Sequence, residues 1–513
     1  MPISRFADHV ILVTPPSTFL LDERVFVNLG ILKIAAVLEN EGVDVEHLDL
    51  SGVENYLEAL ADHLGDHLGS TGARSAVGVT TTTPQLPAVV QIIDVIRRVR
   101  PDARVILGGP HVTLTWTALK LERGAGRRSR AHRAWEQLEQ LADVLVSGDG
   151  ELAVFEALRS DAPRCIDADD PATGLFLTSA QYDATPYPAR HMVDLGSYHY
   201  EIEGRPSTSL IAQLGCPFEC GFCGGRNARS LRVIRTRSTE SIVEEVRQLH
   251  ETYGYTGFMF YDDELNVNKN MVALMDALAA LQAGLGVEFR CRGFIKAELF
   301  TPAQAAAMHR AGFRWVLIGF ESGSPRILAN INKKATVDDN SRAVEIARHA
   351  GLKVKALMSV GHPGESADTA AETQQWLLAV RPDDFDCAII TTYPGTPYYD
   401  EAVPHESRPD VWTYTCRKGG DRLHAQEIDF LRVADYYKGD PAGGYRSFVS
   451  TDFVTADELV GLRASIESSV REALGIPYPR ARAAVQYDHS MGLGLGHGLP
   501  STIRRVTAPR ARP

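Results

Sequence analysis

Leu214-Gly215-Cys216-Pro217-Phe218-Glu219-Cys220-Gly221-Phe222-Cys223-Gly224-Gly225 carries three thiols within eight residues. It closes a strand-like run, Ser209–Leu214, and opens a series of alternating strand and helix patterns. Glycines around the cysteines let the backbone wrap tightly round a metal centre. Thiolates are the usual protein ligands of iron–sulfur clusters, and a [4Fe–4S] cubane on Cys216, Cys220 and Cys223 keeps one iron open to a substrate or cofactor. Zinc is the competing reading. Structural zinc takes four ligands, however, and the next cysteine is Cys291 and the nearest downstream histidine His250.

Downstream of the cysteines, strand candidates recur at Gly257–Tyr261, Val287–Cys291, Trp315–Phe320, Lys353–Ser359 and Asp384–Ile390. Helices between them have readable starts. Thr301-Pro302-Ala303-Gln304 offers an N-cap, a proline at the first helical position and a glutamine three residues on. Thr336-Val337-Asp338-Asp339 fits the capping-box pattern. Counting Ser209–Leu214, six such units predict a partial (β/α)6 barrel of the TIM type; the two further pairs of a closed eight-fold barrel are missing.

Upstream, strand patterns at His9–Thr14, Val43–Leu48, Ser75–Thr80, Arg104–Leu107 and Asp143–Val146 alternate with helical ones such as Leu29–Glu41 and Leu86–Val99. This predicts a Rossmann-like parallel sheet covered by helices. Its strands run into Pro15-Pro16-Ser17, Thr80–Pro84, Gly108–Thr113 and Ser147–Glu151, one rim at the carboxyl ends where such sheets bind ligands. Leu119–Gln137 is strongly basic and reads as a solvated surface insertion, with a phosphate-binding patch as the alternative. The whole is an α/β chain with expected bounds of 1–160 for the first domain, 161–206 for a linker, 207–400 for the barrel, 401–485 for a smaller C-terminal domain and 486–513 for a flexible tail.

Composition narrows the partners. With 513 residues and a net charge of −12, the chain can bury several cores and carries no basic field for nucleic acid. It contains no apolar run long enough to cross a membrane and no signal peptide, and its seven cysteines suit a reducing cytoplasm rather than a disulfide framework.

The spacing C-x3-C-x2-C with Phe222 before the last cysteine resembles the defining motif of the radical S-adenosylmethionine (SAM) superfamily. Further segments match family landmarks in order: Tyr261-Asp262-Asp263-Glu264, Gly319-Phe320-Glu321-Ser322-Gly323, Gly361-His362-Pro363-Gly364-Glu365 and Pro394-Gly395-Thr396-Pro397. The resemblance implies that the open iron chelates S-adenosyl-L-methionine and that the cluster cleaves it reductively to a 5′-deoxyadenosyl radical. It implies SAM contacts from Phe222, Gly224, Asp262, Asp263, Glu264, Glu321, Ser322, Gly361 and Pro363. Cys291 and Cys387 read as buried structural thiols, and Arg290 or Arg292 is a candidate to meet a carboxylate at the rim.

The first ~155 residues are similar to the cobalamin-binding domain that precedes the barrel in one branch of this superfamily, whose class B members are methyltransferases. That likeness implies cobalamin contacts from Pro16, Ser17, Thr81, Thr82, Gly108, Gly109, His111, Ser147, Gly148 and Glu151, with His111 read either as a lower-face contact or as a loop-ordering residue. The D-x-H-x-x-G segment of many cobalamin domains is absent, so cobalamin is expected to bind without that histidine, or not at all. The expectation is a cobalamin-dependent methyltransferase acting on an unactivated carbon, or phosphorus, of a small molecule in natural-product (antibiotic) biosynthesis. Its cofactors would be the cluster, S-adenosyl-L-methionine and methylcobalamin, with a reductase, flavodoxin or ferredoxin as electron donor. A ring-forming, ring-contracting or oxidative enzyme with the same cofactors, and a non-catalytic sensor, are the alternatives. A tRNA methylthiotransferase is disfavoured, because no second cysteine cluster or basic domain follows. No acid–base dyad is assigned. Tyr436, Tyr437, Tyr445 and Phe448 are candidates to line a substrate pocket, although an apolar core explains them equally well.

Overall fold

The computed structural model describes residues 6–7, 9–17, 23–66, 75–436 and 445–477. Tyr437 and the expected tail 486–513 lie outside the described residues. Strands β1 (His9–Thr14), β2 (Asp44–Asp49), β3 (Ser75–Thr80), β4 (Arg104–Gly108), β5 (Val144–Gly148) and β6 (Cys165–Ala168) form one sheet in the order β2-β1-β3-β4-β5-β6. All its pairings are parallel. Central strands such as His9–Thr14 are apolar on both faces because helices cover both. One face packs on Leu29–Asn40 and Gly150–Ala157, the other on Leu86–Val99, Pro110–Gly124 and Arg130–Leu141.

The second sheet runs β15-β14-β13-β12-β11-β8-β7. Its members are β7 (Glu201–Ile202), β8 (Arg205–Leu210), β11 (Gly257–Phe260), β12 (Arg290–Ile295), β13 (Phe313–Glu321), β14 (Lys353–Val360) and β15 (Asp384–Ile389); β9 (Gln213–Leu214) and β10 (Arg235–Thr236) make a separate ribbon. β8 and β11 to β15 pair in parallel, the six strands of the expected partial barrel, and β7 adds an antiparallel edge. A four-stranded antiparallel sheet follows, made of β16 (Val403–Pro404), β17 (Val411–Thr415), β18 (Arg422–Gln426) and β19 (Val449–Thr451).

An open barrel leaves an edge strand, and unpaired edge groups need cover. Here the helix Ala456–Leu474 covers β15 with charged side chains. Glu467 accepts from Cys387 N (2.7 Å), Arg463 Nε donates to Cys387 O (2.7 Å), and Arg471 donates to Phe385 O. No helix among the described residues is long and apolar enough to cross a membrane.

Several expectations need correction. The linker 161–206 supplies β6 to the first sheet and β7 with the start of β8 to the second. The strand expected at Ser209–Leu214 ends at Leu210, because the Asp262 carboxylate takes the N–H groups of Ala212 and Gln213 out of the sheet. The one expected at Val287–Cys291 begins at Arg290; Gln282 holds Val287 N through its carbonyl (3.2 Å) and Phe289 N through its side chain (2.8 Å) as the turn closing the preceding helix. The basic stretch Leu119–Gln137 is solvated at Arg123, Arg127 and Arg128 but belongs to the sheet's own cover, joining two of its helices, with Ala131 and Trp135 in the core. Arg130 is buried there between the Tyr399 and Trp412 rings (3.6 and 4.4 Å to the centroids) and donates to Tyr399 O.

Candidate functional site

The cysteine loop is shaped by its own backbone. Gly215 has φ +88°, and a Cβ there would lie 2.3 Å from Val233 O. Cys216 N donates to Leu231 O (3.0 Å), Gly221 N to Ile331 O (2.8 Å) and Cys223 N to Cys220 O (3.2 Å). A Cβ on Gly221 would meet the Tyr398 ring at 2.9 Å. Asp262, 1% exposed, accepts from Ala212 N (3.0 Å) and Gln213 N (2.5 Å) and so orients the entry to the loop.

All three thiols are free. Burial pushes Cys216 up to about 12 and Cys223 up to about 11, with the neighbouring thiol and Asp263 adding to it, and burial pushes Cys220 up as well. One buried and two half-buried thiols in one another's field are a natural donor set for a metal that displaces their protons. Among the described residues no three His, Cys, Asp or Glu groups converge on a single ion. A cluster, whose irons occupy separate corners, asks for ligands held further apart, and the loop fits it.

The carboxylates after β11 divide by environment. Asp262 is spent on backbone N–H groups, and burial pushes it up to about 7; it positions the loop rather than meeting a ligand. Asp263 is open to the mouth. Burial pushes Glu264 up to about 7 against Lys333 and Lys296, and its Oε2 is buried without a partner. Glu321 sits at a bulge in β13 with φ +65°. Its two oxygens meet Lys333 Nζ (3.1 Å) and Ser359 Oγ (2.8 Å). Burial alone would raise Glu321, but Lys333, Ser359 and His362 together outweigh it and hold the carboxyl below its usual value.

Ser322 is turned away from the mouth: its Oγ bonds Thr373 Oγ1 (3.0 Å) and accepts from Ser324 N (3.0 Å). Gly361, with φ +92°, donates to Glu365 (3.1 Å), and Pro363 O accepts from Asn330 (2.8 Å). The Phe222 ring lies 5.3 Å from His362. Arg290 and Arg292 sit at the amino end of β12, away from the rim; Arg290 meets Glu288 (3.0 Å) and Arg292 lies over Trp315. Cys291 and Cys387 are buried in the barrel core.

Sequence reading missed the cations. Lys333 and Lys296 are 5% and 2% exposed, and Lys296 meets Glu298 (2.8 Å), Lys333 O (3.2 Å) and the Phe218 ring (4.1 Å to the centroid). His362, fully buried, links Ser359 Oγ (2.8 Å) to the Tyr398 hydroxyl (3.3 Å), and burial draws it down to about 4. No motif marks Lys296 or Lys333, and His362 stood in a quoted segment without a role. The one available signal was that a buried Glu321 needs a counter-charge.

On the first sheet, the rim at the ends of β3 to β5 is tightly built. Gly109 has φ +103°, and its Cβ would lie 2.8 Å from Thr81 N. Thr81 N donates to Gly108 O (2.9 Å), and Thr82 remains exposed. Gly148 packs on Asp169 N and donates to Thr113 (2.9 Å), while Ser147 Oγ is buried without a partner. Pro16 is buried and Ser17 half-buried, and burial raises Glu151. His111 is 3% exposed, with its ring nitrogens on Thr83 Oγ1 (2.9 Å) and Thr115 Oγ1 (3.2 Å). It orders the loop and does not open to the rim. An exposed threonine, an orphaned serine hydroxyl and two glycine turns leave backbone surface that suits a large polar-rimmed cofactor such as cobalamin.

The two rims meet at Leu114. A Cβ on Gly224 would lie 3.2 Å from its side chain, and one on Gly395 would lie 2.9 Å from its carbonyl oxygen. Of the C-terminal aromatics, Tyr436 packs against Phe430 and Tyr393, Tyr445 accepts from Ile389 N (3.1 Å), and Phe448 joins the first sheet's core. They are core residues.

Residues 210–377 match the sequence model of the Radical SAM superfamily, and residues 23–127 that of the B12 binding domain. The chain belongs to the radical SAM superfamily, in the branch with a B12-binding domain ahead of the barrel. An uncharacterised methyltransferase of Pyrococcus horikoshii is 27% identical over 64% of this chain and 69% of its own length. The anaerobic magnesium-protoporphyrin IX monomethyl ester cyclase of Rubrivivax gelatinosus is 23% identical over 63% of this chain, which spans only 58% of that enzyme. The fold is similar to that of the radical SAM methyltransferase TsrM from Kitasatospora setae, solved with cobalamin and a [4Fe–4S] cluster, with a TM-score of 0.62, 17% identity and coverage of 94% of this chain and 90% of that one.

Proposed function

We propose that the chain is a cobalamin-dependent radical SAM methyltransferase that methylates an unactivated carbon, or phosphorus, of a small molecule in natural-product biosynthesis. One observation carries the reading: Cys216, Cys220 and Cys223 lie on a loop whose Gly224 packs on Leu114, in the helix Pro110–Gly124 of the unit that matches B12-binding domains. When bound, the cluster and S-adenosyl-L-methionine supply a radical that removes a substrate hydrogen, and methylcobalamin supplies the methyl group.

The chain's own residues bind, orient and exclude water. Cys216, Cys220 and Cys223 would ligate three irons. Asp262 sets the loop's entry. Asp263 and Glu264 face the mouth, where an amino group of S-adenosyl-L-methionine is a fitting partner. Lys333 holds Glu321 in place and, with Lys296, offsets the charge of the thiolates. Phe222, Gly224, Gly361 and Pro363 shape the walls, with Ser322 supporting them from behind. Thr82, Ser147 and the glycine turns at 108–109 and 148 would hold cobalamin. A flavodoxin, a ferredoxin or their reductase would deliver electrons, and the reducing cytoplasm is the fitting compartment for metal-binding thiolates.

The test is anaerobic reconstitution with iron, sulfide and cobalamin, then S-adenosyl-L-methionine and reductant. Formation of 5′-deoxyadenosine and S-adenosylhomocysteine, lost in the Cys216→Ala/Cys220→Ala/Cys223→Ala variant, is the expected result. The likeness to an enzyme named as a cyclase favours oxidative ring formation as the second reading. It predicts deoxyadenosine without S-adenosylhomocysteine. No iron bound and no product would refute both.

A further inference from the structure

The ends of β1 and β2 and the start of the helix Leu29–Asn40 close with Ser209, Ile211 and Tyr261 of the barrel around a cavity of about 320 Å³. That volume falls at the small end of the range for small-molecule sites. The turns at the ends of β4 and β5, with Thr81 and Thr82, do not line it, but Ser17 and Gln85, which caps Thr82, do, so it borders the rim that suits cobalamin. It adjoins the barrel mouth through Tyr261, next in the chain to the acidic stretch.

Its walls are mostly apolar: Val25, Val27, Leu29 and Ile211, with the rings of Phe26 and Tyr261 side by side, 5.2 Å between centroids. The Tyr261 ring remains 40% exposed between two α/β units. An aromatic face left open in such a crevice marks a contact surface.

The polar groups of the wall are largely spent on the protein itself. Both carboxyl oxygens of Glu23 accept backbone N–H groups, from Ser17 and Gly52. Gln85 caps Thr82 and donates to Pro15 O (2.8 Å); Thr14 Oγ1 meets His47 Nε2 (2.8 Å); Asn28 caps Ile31 N (3.3 Å). Ser209 Oγ, in a residue 1% exposed, has no partner, and neither does Ser17 Oγ. Among the described residues no Lys, Arg or His lines the cavity, and the Arg24 guanidinium is tied to Asp49, Ser51 O and Ser197. Burial pushes Glu23 up to about 8, and its two oxygens, both spent on backbone N–H groups, offer a cation no free acceptor.

We infer that this cavity is the substrate compartment and that it takes a neutral, flat, largely apolar ring with one or two hydrogen-bonding groups, met by Ser209 and Ser17. The inference rests on the methyltransferase reading for its use of the word substrate; the binding claim stands on the cavity. An anion would find no cation in it, and a strongly polar molecule would lose more hydrogen bonds to water than the wall returns.

The probe is p-cresol, with 4-methylbenzoate and 4-methylbenzylammonium as its charged counterparts, titrated calorimetrically into anaerobic protein carrying cluster and cobalamin. The blocking variant is Gly30→Phe. Gly30 is exposed at the cavity wall with helical backbone, and a Cβ there meets only Asn28 Oδ1, at 3.5 Å, so the substitution is tolerated by the fold. Expected are p-cresol binding at least about ten-fold tighter than either ion, a ten-fold or greater loss in Gly30→Phe, and a smaller loss in Ser209→Ala. Cobalamin content by absorbance stays unchanged throughout. Equal affinity for the three probes, no binding, or binding indifferent to Gly30→Phe overturns the inference; loss of cobalamin in Gly30→Phe overturns it by making the cavity part of the cofactor's bed. Deoxyadenosine formation in the same samples is scored separately, so failure of the radical reading leaves the binding result legible.

Discussion

Lys333→Met removes the one cation bonded to Glu321. The pair is 3.1 Å apart, with side chains 6% and 13% exposed, so the carboxylate left behind is buried and uncompensated. Breaking a buried pair from one side costs about 3–5 kcal/mol. In a domain of this size that lowers the melting temperature by on the order of 10 °C. Calorimetry on iron-free protein reads this directly, because cluster retention then plays no part. Adding Glu321→Gln removes the orphaned charge and should restore more than half of the loss.

The sign of the pH dependence follows from the two shifts. Glu321 is held below its usual value when folded, so its contribution is present above the ordinary carboxylate range and is lost as pH falls through that lowered value. Lys333 is held above its usual value, so its share is present below about pH 10 and is lost only as pH rises beyond it. The difference between wild type and Lys333→Met should therefore be widest between about pH 5 and 10 and shrink below about pH 4. A shift under about 2 °C at pH 7, which equals less than about 1 kcal/mol, or a double variant no better than the single one, would refute the pairing.

Gly215→Ala forces a Cβ into Val233 O at 2.3 Å on a backbone with φ +88°; the chain should still fold, with iron bound per chain falling several-fold by colorimetric assay. Arg130→Lys should lose about 2 kcal/mol, seen as a lower melting temperature, because an ammonium cannot stack between Tyr399 and Trp412 as the planar guanidinium does; full stability in the variant would mean that stacking is idle. Glu467→Ala leaves Cys387 N without its acceptor and removes the carboxylate that Arg463 and Arg471 share, while Arg471 keeps Asp384. Faster hydrogen exchange along β15, with β12 unchanged, is the expected signature.

Local features were legible. The capping boxes at Thr301 and Thr336 are present as expected, with Thr301 accepting from Gln304 N (3.3 Å) and Thr336 from Asp339 N (3.1 Å), because both partners lie within one turn. Buried parallel strands such as Ser75–Thr80 and Lys353–Val360 stood out because apolar residues fall on both faces, Ala76 beside Val77 in one and Ala356 beside Leu357 in the other. The short strand Cys165–Ala168 did not, since four residues carry too little periodicity. Asp262 and Ser322 looked like ligand contacts by position but are consumed by backbone and by Thr373.

What the sequence by itself determined is the chemistry that neighbours in the chain can express: three thiols at a fixed spacing, the glycine that lets their loop turn, and the order of strands and caps. What only the tertiary structure decided is which groups meet across it. Lys333 against Glu321, His362 between Ser359 and Tyr398, Leu114 on Gly224 and the cavity beside Tyr261 join segments brought together by packing. Periodicity and spacing record the environment of a residue along its own element. The identity of a partner across a core or between two rims is set by side-chain direction and burial, which no local pattern encodes.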